Sequence, residues 1–275
     1  FVTLGAIALQ GIRRANLSIG EKVAIIGLGL VGQITAQLVQ ATGCHSFGID
    51  IDRERVALAQ ELGMEAGGMP EHDDINQLVN SFTQGHGVDA VLICAASKKS
   101  SEPVTLAADI CRENGRVIAV GDVNLDLPRR PYYEKELDLL LSRSYGPGRY
   151  DPNYEERGHD YPYGYVRWTE NRNMASFLEL LAQKRLDVHR LITHRYPIER
   201  AEEAFRLVTG ERDEYCIGII LQYEHQKEML SAVPIRVDAS DRRAISTPIN
   251  LGVIGAGVFA RGILLPAIRK IDGVN

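Results

Sequence analysis

The chain has 275 residues, 45% of them hydrophobic, and a formal net charge of -5, so it is long enough to bury one large core or two ordinary ones. The acidic balance argues against a general affinity for nucleic acid or for an acidic membrane surface. With no signal-peptide pattern and no apolar run of about 18 residues to cross a bilayer, the expectation is a soluble, cytoplasmic protein with no membrane partner.

Residues 4–14 carry apolar positions at Leu4, Ile7, Ala8 and Ile12, a helical spacing, and a polar turn follows. Residues 23–26 are a short apolar run that breaks into Gly27, Gly29 and Gly32, spaced G-x-G-x-x-G. Val31, Ile34, Leu38 and Ala41 then fall on one helical face, with Gly43 at the expected C-terminal stop. A strand over 46–49 ends at Asp50, and Asp52 caps a helix carrying Val56, Ala59 and Leu62 that Gly63 closes. The pattern continues with a strand at 64–67, a helix at 75–82, a strand at 89–94, a helix at 104–111 started by Ser101-Glu102-Pro103, a strand at 116–120 and a sixth at 137–142. Strands alternating with helices predict an α/β fold: a doubly wound parallel sheet of the Rossmann kind, binding its ligand at the carboxyl ends of the strands.

From 144 to 173 the periodicity fails, and six of the eleven tyrosines and the only tryptophan gather there. A loop this long is functional or disordered, and its aromatic and arginine content argues against disorder. Residues 174–181 then read as a helix, 192–196 as a strand, 198–208 as a helix and 217–223 as a strand, a C-terminal α/β tail. Residues 224–250 are polar with mixed charge and read as a linker with one strand near 233–237. At 251–260 the strand, glycine turn and helix start recur, now as G-x-G-x-x-A with Gly255, Gly257 and Ala260 as a second cofactor turn. The expected organisation is a dinucleotide-binding domain at 1–146, the Tyr/Arg-rich loop and tail at 147–224, a linker at 225–249 and the start of a second Rossmann domain at 250–275. Both ends read as cut.

The chemistry is carried first by the glycine turn. Gly27 permits the tight turn, Gly29 lets a pyrophosphate approach the backbone, Gly32 lets the helix pack close to the strand, and the N–H groups of the helix start, at Leu30 and Val31, face the phosphates. Asp50 follows Gly32 by eighteen residues and is expected on the adenosine ribose hydroxyls, where its charge repels a 2′-phosphate and favours NAD over NADP. Arg53 and Arg55 lie close enough to temper that preference. Cys94, Ala95, Val120 and Gly121, at later strand ends, are expected to flank the adenine and nicotinamide regions. No catalytic residue is designated; Tyr145 and His159 are the candidates for proton relay because either type can carry a proton. Arg149, Tyr150, Asp151, Tyr161, Arg167 and Trp168 would form a loop for a substrate or a partner, since aromatic faces and arginine forks suit sugars and carboxylates. The same loop could simply pack against its own domain or a neighbouring subunit. Nucleic acid is disfavoured there by Asp151, Glu155, Glu156, Asp160 and Glu170. Cys44, Cys94, Cys111 and Cys216 lack zinc or disulfide spacing and read as free thiols, so no metal is expected.

Residues 1–223 resemble the cofactor-binding half and tail of a medium-chain, alcohol-dehydrogenase-like dehydrogenase. The likeness rests on Gly-Leu-Gly-Leu-Val-Gly at 27–32, Gly-Ile-Asp-Ile-Asp-Arg-Glu-Arg at 48–55, Gly-Arg-Val-Ile-Ala-Val-Gly at 115–121 and the tail beginning Leu-Ile-Thr-His-Arg-Tyr-Pro at 191–197. From Leu251 onward the chain resembles the start of the Gfo/Idh/MocA sugar oxidoreductases, and the whole is similar to bacterial bi-domain oxidoreductases that join the two. The resemblance implies an NAD-dependent oxidoreductase, or a piece of one, acting on an alcohol, sugar or polyol; a homo-oligomer is a separate expectation. It also places Val2 where zinc-using members have a cysteine ligand, so zinc chemistry is not expected. The competing expectation is an NAD(H)-binding sensor or interaction module without turnover.

Overall fold

The computed structural model describes residues 1–212, 214–223, 251–253, 255, 257–271 and 274, and the chain divides into two units, Phe1–Glu224 and His225–Asn275. The first unit opens with α1 (Val2–Ala15), which ends at Asn16 in the left-handed conformation. There follow β1 (Lys22–Ile26), α2 (Leu30–Ala41), β2 (His45–Ile49), α3 (Arg53–Glu61), β3 (Ala66–Gly68), α4 (Ile75–Thr83), β4 (Val88–Ile93), α5 (Glu102–Ile110), β5 (Cys111–Ala119), α6 (Arg129–Glu134) and β6 (Asp138–Leu141). The six strands form one parallel sheet in the order β3-β2-β1-β4-β5-β6. This is the expected doubly wound architecture, whose strand order reverses between β1 and β4.

Alternation along the strands builds a core on each face. Ile25, Leu92 and Ile118 join one apolar cluster with Leu9 and Ile12 of α1 and Ile34 and Leu38 of α2. Ile26, Ile93 and Val117, one residue on or back, join the opposite cluster with Val79 of α4 and with Val104 and Ala107 of α5. The period of two in side-chain direction sends each strand's residues to both layers, which is why these strands read as continuous apolar runs.

After β6 the chain forms α7 (Pro152–Glu155) and α8 (Glu170–Ala182), then β7 (Ile192–Pro197), a 3-10 turn (Ile198–Arg200), α9 (Ala201–Val208) and β8 (Gly218–Gln222). The aperiodic stretch is thus ordered by side-chain caps: Asp151 accepts from Asn153 N–H, and Thr169 accepts from Arg172 N–H at the start of α8. Phe177 of α8 is fully buried beneath α1, where a Cβ built on Gly5 would stand 2.3 Å from its ring. Among the described residues β7 and β8 pair in parallel with each other alone, and they bury Tyr196 against Ala204 and Leu207 of α9.

Several boundaries differ from the sequence reading. The third strand forms at Ala66–Gly68, because Met64 turns inward and packs against Gly48. β5 begins at Cys111, with Asn114 at φ +54° and a register shift against β4. Neither α6 nor α7 is expected from periodicity; both are short, carry proline and bury no residue. The linker and the strand near 233–237 lie outside the described residues. In the second unit, Gly255 has φ +86° and accepts from Gly257 N–H at 2.8 Å, and residues 258–268 are helical. Of the residues expected in the strand before that turn, Leu251, Gly252 and Val253 are in no strand, and Ile254 lies outside the described residues.

Candidate functional site

A cavity of about 930 Å³ opens at the carboxyl ends of β1, β2 and β4, the switch point at which a doubly wound sheet takes its ligand. Its floor is the glycine turn. Gly27 adopts φ +90°, and a Cβ there would stand 2.5 Å from Ala95 N, so only glycine fits on both conformational and steric grounds. A Cβ on Gly32 would stand 1.9 Å from Gly27 O. Gly29 differs: a Cβ built on it meets nothing within 4 Å, so the space above that residue is open. α2 begins there with no side-chain cap, which leaves the first N–H groups, at Leu30, Val31 and Gly32, without side-chain acceptors at a positive dipole end.

Asp50 closes the turn from the side. Its Oδ2 accepts from Leu28 N–H at 2.5 Å and its Oδ1 from Asp52 N–H at 2.9 Å, and the residue is only 6% exposed. Each carboxylate oxygen retains a second lone pair, so the group can hold the turn and still accept from a ligand hydroxyl. Arg55 Nη1 lies 3.8 Å from Asp50 Oδ1, while Gln33 Nε2 donates to Leu28 O and Arg55 O. Turn, carboxylate and arginine are therefore one connected unit. Glu71, Glu102 and Asp109 also line the cavity, and Arg55 is its one cation among the described lining residues.

Of the residues expected to flank the ligand, Cys94 and Ala95 line the cavity with Gly27, Gly29, Asp50 and Arg55. Val120 and Gly121 do not. Val120 packs over Gly11 of α1, and Gly121 lies so close to Ala95 O that a Cβ would stand 2.1 Å away. Tyr145 and His159 lie outside the lining as well: the Tyr145 ring is 5.3 Å from the Arg149 guanidinium, and His159 is exposed. In the Tyr/Arg loop, Arg149, Tyr150, Asp151 and Tyr161 gather around a second cavity, whereas the Trp168 ring is in contact with the guanidinium groups of Arg13 and Arg167 at 3.5 and 3.8 Å. Sequence reasoning missed the wall that α5 adds to the main cavity through Glu102, Thr105 and Asp109. Those residues are distant in the chain and share no motif with the turn.

The fold and the cleft together are those of a doubly wound α/β unit open at its switch point. A family model described as zinc-binding dehydrogenase matches residues 31–156. The chain is 24% identical over 208 residues to a sorbitol dehydrogenase of Halalkalibacterium halodurans, covering 74% of this chain and 53% of that protein. It is 25% identical over 198 residues to a D-arabitol-phosphate dehydrogenase of Enterococcus avium, covering 70% and 49%. Among solved structures it superposes on galactitol-1-phosphate dehydrogenase of Escherichia coli with TM-score 0.63 at 20% identity, over 79% of this chain and 59% of that one. The chain spans about half the length of the curated relatives it matches. These likenesses all fall to zinc-type and polyol dehydrogenases, and the expected junction with a Gfo/Idh/MocA-type domain is corrected on that ground.

The family description implies zinc, and the described residues do not fit it. Among the described residues no three His, Cys, Asp or Glu side chains converge to hold a metal. Cys94, the cysteine of the cleft, has its thiol 3.6 Å from Thr35 Oγ1, and burial pushes its pKa up to about 12, far from the thiolate a metal requires. The cleft does fit a dinucleotide: open space above Gly29, uncapped N–H groups at α2 and a buried carboxylate at the next strand end.

Proposed function

We propose that this chain is the cofactor-holding part of an NAD-dependent dehydrogenase of alcohol or polyol substrates. The observation that carries the reading is the open space above Gly29 beside the buried Asp50 carboxylate. The names of the matched proteins, which act on sorbitol, D-arabitol phosphate and galactitol 1-phosphate, support the substrate class.

In this reading the first N–H groups of α2 bind the pyrophosphate, with Gly29 admitting it to the backbone. Asp50 accepts from the ribose hydroxyls, and the carboxylates of Glu71, Glu102 and Asp109 keep the cleft unfavourable to an additional phosphate. Ile26, Ile49 and Ala95 exclude water from the cleft's apolar side. When bound, the nicotinamide supplies the hydride acceptor. A cytoplasmic setting, supported by the free cysteines, and a homo-oligomeric state belong to the same proposal. The second reading, an NAD(H) sensor without turnover, is favoured by one observation: Tyr145 and His159 both lie outside the cleft.

Titration with NADH and NADPH, followed by nicotinamide fluorescence, tests the proposal. NADH is expected to bind at least about tenfold more tightly, a difference of about 1.4 kcal/mol. Asp50→Asn keeps an acceptor for Leu28 N–H but sets its amide NH2 against Asp52 N–H, so it is expected to narrow the gap and to lower the melting temperature. Absence of saturable NADH binding refutes both readings, and formation of NADH from a polyol selects the dehydrogenase over the sensor.

A further inference from the structure

The second cavity of the first unit, about 510 Å³, lies between the C-terminal half of α1, the end of β6 and the Tyr/Arg loop. It shares no lining residue with the cofactor cleft. Its charged lining is Arg14, Arg143, Arg149 and Asp151. Two of these are already engaged: Arg149 Nη1 donates to Glu155 Oε1 at 2.5 Å, and Asp151 accepts from Tyr161 OH at 2.5 Å and from Asn153 N–H at 2.9 Å. Arg14 and Arg143 have no ion pair among the described residues. Arg143 spends one donor on Arg149 O at 2.8 Å and stacks on the Tyr150 ring at 4.8 Å. Most of its five donors remain unspent, so Arg14 and Arg143 bring to the cavity two guanidinium groups that form no ion pair among the described residues.

The wall beside these cations is held in an unusual shape. Tyr150 adopts φ +67°, between Gly146 and Gly148 at +117° and +107° and the short helix α7. A bulky side chain in that region is strained, and the strain is held by Tyr150 N–H donating to Glu155 Oε2 at 3.0 Å. Tyr150 lines the cavity with Tyr161, whose ring stacks on Tyr154 at 5.4 Å. Cationic forks next to aromatic faces are the combination that recognises a ring of C–H and hydroxyl groups bearing an anion.

We propose that this cavity binds a small carbohydrate carrying a carboxylate or phosphate, with Arg14 and Arg143 taking the anion and Tyr150 and Tyr161 packing against the sugar. The proposal does not depend on the dinucleotide reading, since the two cavities are separate. Calorimetric titration of the whole chain with glucose 6-phosphate, glucuronate, inorganic phosphate and sorbitol tests it. Saturable binding of glucose 6-phosphate or glucuronate is expected, with inorganic phosphate weaker and sorbitol silent; whichever of the first two binds identifies the anion. Arg14→Gln with Arg143→Gln is expected to weaken binding at least about tenfold while leaving NADH affinity and melting temperature unchanged, because both side chains are exposed. The proposal is overturned if neither sugar anion saturates, if the double variant binds them as the parent does, or if NADH displaces them. Loss of NADH binding alone refutes the dinucleotide reading and leaves this one standing.

Discussion

At Gly32 a single methyl group decides whether the turn can form. Its Cβ would stand 1.9 Å from Gly27 O, a backbone atom fixed by the neighbouring hydrogen bond from Gly27 N–H to Ile49 O at 2.8 Å. Gly32→Ala must therefore push α2 away from β1. It is expected to cost about 3 kcal/mol, at the upper end for forced overpacking, measured as a lowered urea midpoint with an unchanged slope. A midpoint equal to that of the parent would mean that helix and strand are not in this close contact. Asp50 is the complementary case, because its two oxygens hold Leu28 and Asp52 N–H groups and its burial is compensated by those bonds. The residue that positions the turn is thus the same one proposed to read the ribose.

Among elements, α1 and α8 are joined through one side chain. Phe177 is fully buried, and its ring fills the space that a Cβ on Gly5 would need. Phe177→Ala is expected to destabilise the first unit by about 3–5 kcal/mol, read by chemical unfolding; a loss below about 1 kcal/mol would contradict the packing. The elements that were legible in the sequence are those with strong periods and end signals. α3 is one, since Asp52 does accept from Glu54 and Arg55 N–H at its start. α2 is another, entered from the glycine turn and followed by Gly43 at φ +82°. α6 and α7 left no periodic trace because they have no buried face. The order of residues 144–173 comes from caps and guanidinium–aromatic contacts such as Arg13 on Trp168, which single-sequence periodicity does not encode. The same limit explains the second glycine motif. A G-x-G-x-x-A pattern specifies a local turn, but the strand before it needs partners supplied by other parts of a sheet. Likewise, the glycine turn and Asp50 were readable as a candidate site, whereas the wall from α5 arises only when β4 lies beside β1.

For the molecule as a whole, the first unit places two cavities apart from each other: an acid-lined cleft at the sheet's switch point and a cation-rich cavity between α1 and the Tyr/Arg loop. In the first, one glycine has room to spare where its neighbours have none. Gly29 has ordinary φ of -65° and open space around its missing Cβ, so Gly29→Ala should fold as the parent does, within about 0.5 kcal/mol. Its methyl group would occupy the approach of the pyrophosphate to the backbone. The most direct test of the cofactor cleft is therefore NADH titration of the parent and Gly29→Ala, with unfolding measured on the same samples. The cleft predicts saturable binding to the parent and at least about a tenfold loss in the variant at equal stability; NADH binding unaffected by the substitution would contradict it.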